Sequence, residues 1–227
     1  MTTVRRLVVL IVCCLVPADL MAVAAGDAAP ALAAGRPAKQ PDPALSAIED
    51  VPGLPRVLLI GDSISIGYTI PTRKLLKGKA NVHRIPVNGG PTTRGLEQIE
   101  NWIGTSKWDV IHFNFGIHDR GTPVADYTAR LAQLVQRMKQ TGAKVIWAST
   151  TPIPDNPEQK QTAASIVERN AAAAEVMQKH GVAIDDLFGF ITPRLAEAQL
   201  PKDVHFNAQG YDMLGQKVAE SVTDALK

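Results

Sequence analysis

The stretch R56-V-L-L-I-G-D-S-I-S-I-G67 decides how the rest of the chain is read. Val57 to Ile60 form an apolar, partly β-branched run that stops at Gly61-Asp62-Ser63. Such a run, bounded by glycine, predicts a strand buried on both faces of a sheet. Residues from Ser65 through Leu76 are compatible with a helix. A buried strand entering a tight turn and then a helix sets the Ser63 hydroxyl at the carboxyl end of a sheet. Open α/β sheets bind their ligands at that rim. Ser63 is therefore a candidate nucleophile, and the remaining chain is searched for a base, an orienting group and oxyanion donors.

Downstream, the same pattern repeats. Ala80–Val87 (ANVHRIPV) predicts a second strand, closed by the turn signal Asn88-Gly89-Gly90-Pro91. A helix capped by Thr92 or Thr93 is expected next, with Leu96, Ile99, Trp102 and Ile103 on one face. Asp109–Phe115 predicts a third strand and Val124–Thr141 a helix with Leu131, Leu134, Val135 and Met138 buried. Lys144–Ser149 predicts a fourth strand, Gln161–His180 an Ala-rich helix and Val182–Ile184 a short fifth strand. A short helix near Thr192–Ala198 and a last helix over Ala208–Leu226 complete the list. This alternation implies a three-layer α/β/α sandwich around a flavodoxin-like parallel sheet of about five strands. Ser63, Gly90, Gly116 and Thr150 then lie along one edge.

Outside this domain the composition changes. Arg5 and Arg6 precede an apolar segment, Leu7–Val16, and small residues follow at Ala22-Val23-Ala24. The pattern predicts a signal peptide over residues 1–25 and export to the periplasm or the cell exterior; a retained membrane anchor is the competing reading. Pro17 and Asp19 interrupt the apolar run, which favours cleavage. Both cysteines, Cys13 and Cys14, would leave with that leader, so no disulfide is expected in the mature protein. Residues 26–44 are rich in Ala, Pro and Gly and read as a flexible linker, which leaves 45–227 as one domain. Losing Arg5, Arg6 and Asp19 takes the formal charge from +2 to +1, which gives no electrostatic reason to expect nucleic acid or an anionic membrane as partner. No zinc-type Cys/His spacing is present, and no metal or cofactor is expected.

The loop Lys202-Asp203-Val204-His205-Phe206 carries a base and a carboxylate together. His205 can take the Ser63 proton, and Asp203 can orient the imidazole and stabilise its charged form. Alone, a D-x-H string is equally a turn cap beside a surface histidine. Oxyanion donors are expected from the Ser63 amide, from the Gly90 turn, where no side chain obstructs a backbone N–H, and from the His118-Asp119 segment after the third strand. Tyr68, Arg73 and Arg94 are candidate substrate contacts, the two arginines being equally readable as solvated helix residues. Asp62 is expected to fix its own turn, and His112 to be a satisfied core residue.

Four blocks now resemble one known family, the SGNH hydrolases of GDSL esterase type. G61-D-S-I-S-I-G67 is similar to the family's first block, which implies Ser63 as nucleophile and amide donor. V87-N-G-G-P-T-T93 resembles the second and carries its glycine over to Gly90. F115-G-I-H-D119 falls where the family has Gly-x-Asn-Asp, with His118 in place of the asparagine. D203-V-H-F-N-A-Q-G-Y211 resembles the last block, with His205 as base; its aspartate, Asp203, stands two residues before the histidine, where the family usually spaces three. Either a Ser-His-Asp triad or a Ser-His dyad is consistent with that spacing. What the resemblance implies is a serine esterase that works through an acyl-enzyme on Ser63 without a cofactor. Export, a small lid-free domain and the lack of a long apolar stretch in the mature chain to bind lipid point to O-acyl groups, chiefly O-acetyl, on small-molecule or polysaccharide substrates; a monomer without stable membrane insertion is expected. A lipase, lysophospholipase or thioesterase is the nearest alternative, and a non-catalytic glycan-binding protein on the same fold is the next.

Overall fold

In the computed structural model the described residues are 42–159 and 161–227. The expected leader (1–25) and nearly all of the expected linker lie outside them. The linker's last residues, 42–44, are inside and are held to the domain. Leu45 N donates to Asp42 O (2.9 Å), Ala44 is buried, and Arg73 Nη1 donates to Pro43 O (2.9 Å).

Five strands, β1 (Arg56–Ile60), β2 (Asn81–Arg84), β3 (Val110–Phe113), β4 (Lys144–Ala148) and β5 (Ala183–Asp185), form one parallel sheet in the order β2-β1-β3-β4-β5. The chain moves from β1 outward to β2, then crosses back over β1 to β3. Connections thus leave β1 and β3 in opposite directions, and a crevice opens between their carboxyl ends. The expected sandwich is the one observed.

Alternation along β1 explains the two cores. Val57 and Leu59 join a cluster with Tyr68, Leu214, Val218 and Val222, beneath α1 (Ser63–Leu75) and α7 (Ala208–Leu226). Leu58 and Ile60 join Ile99, Leu131, Leu134 and Met138, beneath α2 (Thr92–Ile103), α3 (Val124–Gln140) and α4 (Ala163–His180). A strand apolar at every position is what burial on both faces requires.

Several boundaries differ from expectation for identifiable reasons. β2 stops at Arg84, three residues early, because Pro86 has no N–H to continue the ladder. α1 starts at Ser63, since Asp62 Oδ1 accepts from Ile64 N (2.9 Å) and caps the helix. Neither Thr92 nor Thr93 caps α2. Thr92 is its first residue, and its N–H and hydroxyl both donate to the buried Asp119 carboxylate (2.8 and 2.6 Å). The expected helix over 192–198 is a 3-10 turn (Thr192–Arg194) followed by α6 (Leu195–Ala198). A short α5 (Leu187–Ile191) precedes them, capped by Asp186, which accepts from Gly189 N. No helix of the described residues is long and apolar enough to cross a membrane.

Candidate active site

Ser63 is the first residue of α1, directly after the β1 turn. Its amide is therefore one of the N-terminal helix donors that have no intrahelical acceptor. At this end the helix also favours negative charge.

His205 arrives on the loop between α6 and α7, and local bonds shape that loop. Leu200 N donates to His205 O (3.0 Å), Asp203 N to Leu200 O (3.2 Å) and Asn207 N to Ala198 O (2.9 Å). Lys202 takes a left-handed φ of 57° at the tip. Phe206 is buried against Tyr211, and Asn207 caps α7 by accepting from Gly210 N (2.9 Å). These anchors turn the imidazole toward α1, with His205 Nε2 2.9 Å from Ser63 Oγ.

Asp203 reaches the other side of the ring. Its Oδ1 lies 2.7 Å from His205 Nδ1 and also accepts from the His205 backbone N–H (3.0 Å). One carboxylate oxygen serving both groups of the residue two positions on explains how the short spacing suffices. A carboxylate only accepts, so Nδ1 carries the proton, and Nε2 is left as acceptor for the serine hydroxyl. The His205 amide, and then its ring, hold the Asp203 carboxyl below its ordinary value of 3.8. Both side chains are about half exposed, so this pair contributes orientation and little to stability.

Gly90 sits at φ +67°, a conformation that favours glycine. Its N–H donates to Asn88 Oδ1 (2.9 Å), which pins the turn. The loop also touches the serine turn directly, Gly89 N donating to Gly61 O (2.9 Å). His118 lies in the 3-10 turn Ile117–Asp119 after β3; it is exposed, and among the described residues its ring makes no hydrogen bond. It interacts electrostatically with the buried Asp62, whose carboxyl is pushed up by burial and drawn back in part by its local amide bond, His118 and Arg84. Asp119 is structural: it anchors α2, and its carbonyl accepts from Arg169 Nε (2.6 Å). Gly116 has no room for a side chain, because a Cβ there would lie 1.9 Å from Thr150 Oγ1.

Two expected substrate contacts are corrected. Tyr68 is buried at 1 % exposure inside the α1–α7 core, with its ring edge toward His112. Burial raises its phenol well above the ordinary range. Arg73 lies about three turns along α1 from Ser63. Its guanidinium donates to the carbonyls of Val82, Pro43 and Ser46, because that end of the helix faces the incoming chain and not the rim. Arg94 does stay at the rim: it is exposed, and its side chain folds back against Gly90. His112 is a core residue but is satisfied on one side only: its Nε2 lies 2.9 Å from Asp185 Oδ2, both groups fully buried, while its Nδ1 has no hydrogen-bond partner among the described residues.

Arg84 was missed by sequence reading. It is buried and donates from Nη2 to Gly61 O (2.9 Å), Asp62 O (3.0 Å) and Ser65 Oγ (2.8 Å), and from Nη1 to Ile85 O (2.7 Å) and Val87 O (2.8 Å). The available signal was a lone arginine inside the expected strand ANVHRIPV. Among the described residues no group of three or more His, Cys, Asp or Glu is arranged to hold a metal ion.

Comparison with known proteins bears on family and fold. Residues 59–213 match the GDSL-like lipase/acylhydrolase family. An arylesterase from Vibrio mimicus is 26 % identical over 157 residues, which span 63 % of this chain and 66 % of that protein. The chain thus covers just under two thirds of that relative's length. Among solved structures, a lipase/acylhydrolase from Enterococcus faecalis superposes with a TM-score of 0.67 at 22 % identity, over 75 % of this chain and 96 % of its own. An acetylxylan esterase from Geobacillus stearothermophilus gives 0.65 at 17 % identity, over 74 % and 94 %. At those identities the structural likeness speaks for the shared fold. With more than half of its length matching the family model, the chain belongs to the GDSL-like lipase/acylhydrolase family.

Proposed function

We propose that this protein is an exported serine esterase that removes short O-acyl groups, above all O-acetyl, from carbohydrates through an acyl-enzyme on Ser63. The observation that carries the proposal is the line Asp203 Oδ1–His205 Nδ1 (2.7 Å) and His205 Nε2–Ser63 Oγ (2.9 Å) at the rim of the sheet.

In the forward half-reaction, His205 Nε2 takes the Ser63 proton as Oγ attacks the ester carbonyl, and Asp203 stabilises the imidazolium. The tetrahedral oxyanion is held by the Ser63 and Gly90 amides and by a ring N–H of His118. The Gly90 amide donates to a neutral side-chain oxygen in the free protein; an oxyanion, being charged, is the stronger acceptor and competes for it. His205 then protonates the departing alkoxide, which leaves as the alcohol. Water repeats the sequence with His205 as base, releasing the carboxylic acid and restoring Ser63.

Two features support a small acyl group on a sugar. The cavity directly behind the nucleophile turn, bordered by Asp62, Ser65, Tyr68, Asn114 and Thr150, has only about 10 Å³. Ser63 and His205 do not border it, and with room for roughly one water it offers no buried tunnel behind the turn for a fatty chain. A groove of about 400 Å³ runs between β2 and α2, bordered by Ile85, Val87 and Trp108 as well as by Arg94, Gln98, Asn101 and Trp102, whose amide, guanidinium and indole groups suit a polyhydroxylated chain. The acetylxylan esterase named for one structural relative is consistent with this reading.

A panel of acetylated oligosaccharides and of acetyl, butanoyl and octanoyl esters of one alcohol tests it. The expected result is release of acetate from the sugars and a fall in kcat/KM as the acyl chain lengthens. A preference for octanoyl esters would contradict the carbohydrate reading and favour a lipase-like or thioesterase activity.

A further inference from the structure

We infer that Arg84 is a positioning residue for the oxyanion site: its buried guanidinium locks the Ser63 turn to the Gly90 loop and polarises the peptide that presents the Ser63 amide. The inference rests on the esterase reading above and extends it to a residue outside the family blocks quoted earlier.

Arg84 Nη2 donates to Gly61 O, Asp62 O and Ser65 Oγ, all in the turn that carries the nucleophile. Its two hydrogens therefore serve three acceptors, one of them shared. Nη1 donates to Ile85 O and Val87 O, which lead into the loop carrying Asn88 and Gly90. One planar, rigid group thus spans both segments that supply backbone oxyanion donors, and its fork geometry fixes them relative to each other. Gly89 N donating to Gly61 O (2.9 Å) closes the same junction.

Asp62 O belongs to the peptide whose nitrogen is the Ser63 N–H. That carbonyl accepts from Arg84 Nη2 (3.0 Å), Ile66 N (3.1 Å) and Ser65 Oγ (3.2 Å). A peptide whose carbonyl accepts hydrogen bonds, one of them from a cation, becomes a better donor at its own N–H, because hydrogen bonds in a chain polarise one another. The Ser63 amide is the donor nearest the new C–O bond, so the effect falls where negative charge develops. Burial lowers the guanidinium to about 10, which leaves it charged at neutral pH. The buried Asp62 carboxyl in the same turn is drawn back toward its charged form by its amide bond from Ile64, by His118 and by Arg84.

The test uses the full chain, an activated acetyl ester, and phenylboronic acid, which forms a tetrahedral adduct with a serine and occupies an oxyanion site. Arg84→Lys keeps the charge without the fork; Arg84→Met keeps neither. Val222→Ala, a core truncation toward the far end of α7, serves as a stability-matched control. We expect kcat to fall roughly 10-fold in Arg84→Lys and about 10²-fold in Arg84→Met, with KM within about twofold. Boronate affinity should fall in parallel, while Val222→Ala leaves both unchanged. Folded Arg84 variants with wild-type kcat and boronate affinity, or with losses carried by KM alone, would overturn the inference. Should both variants fail to fold, NMR of the wild type decides: boronate binding should shift the Ser63 amide and the Arg84 Nη–H resonances together, and a Ser63 shift with Arg84 unmoved would overturn it. A wild type that neither hydrolyses the ester nor binds boronate would instead remove the esterase reading, and this inference with it.

Discussion

At the residue scale the His205 ring is shared between two neighbours of different kind. Ser63 approaches one nitrogen, and the other is held by a carboxylate that also grips the His205 backbone. The downward displacement of the Asp203 carboxyl sets the sign of its pH dependence. An acid whose folded value is depressed keeps its partner interactions above the ordinary 3.8 and loses them as pH falls through the lower folded value. Asp203 therefore stays ionised throughout the range in which an imidazole changes charge. Activity should rise with pH through the imidazole range with no limb from Asp203 in it, and Asp203→Asn should reduce kcat. A pH–rate profile of kcat/KM for both proteins checks this; an unchanged rate in Asp203→Asn would identify a Ser-His dyad. His118 makes a sharper case, because its ring is exposed and free of hydrogen bonds among the described residues. As an oxyanion donor it should tolerate His118→Asn and lose roughly 10²-fold in kcat as His118→Ala. Equal losses in the two variants would argue against the role.

Elements place these side chains, and the helix α1 shows how. Asp62 caps it, so the same residue that ends the β1 turn fixes the angle at which Ser63 enters the rim. Burial raises the Asp62 carboxyl, so its contribution to stability is full below the ordinary value and declines as pH rises through the folded one. Asparagine can cap equally and carries no charge. Urea denaturation at pH 7 should find Asp62→Asn at least as stable as the wild type, and Asp62→Ala less stable by about 1 kcal/mol. Equal destabilisation of both would mean that the charge, and not the cap, matters. Along its length α1 meets α7 closely: a Cβ on Gly67 would lie 2.1 Å from the Tyr211 ring, and one on Gly215 2.4 Å from Pro71. Those contacts tie the serine helix to the helix that anchors the His205 loop.

Across the whole molecule, what could be read in the sequence was what local pattern determines. Buried parallel strands announce themselves as apolar runs, and β1, β3 and β4 were placed within about two residues of their observed ends. Ser63, Asp203 and His205 were legible because each follows a strand or precedes a helix at a motif. What escaped depends on contacts between distant segments. Thr92 offered a cap by sequence, yet Asp119 from another loop took its hydroxyl. Arg73 looked close to Ser63 along the chain, but one helix carries them to opposite ends. Arg84 shows nothing of its role until the Ser63 turn folds over it. The sheet order supplies the underlying reason these pieces meet, since the β1/β3 crevice gathers loops from β1, β2 and β3 at one place.

The central claim is that Ser63, activated by His205, is the nucleophile. It is tested most directly by intact-protein mass spectrometry after brief exposure to a fluorophosphonate, with the modified peptide sequenced. One adduct per chain is expected, on Ser63, absent from Ser63→Ala and formed orders of magnitude more slowly in His205→Ala, with both variants folded and without ester turnover. An unlabelled Ser63 in a protein that still hydrolyses esters, or turnover retained by Ser63→Ala, would contradict it.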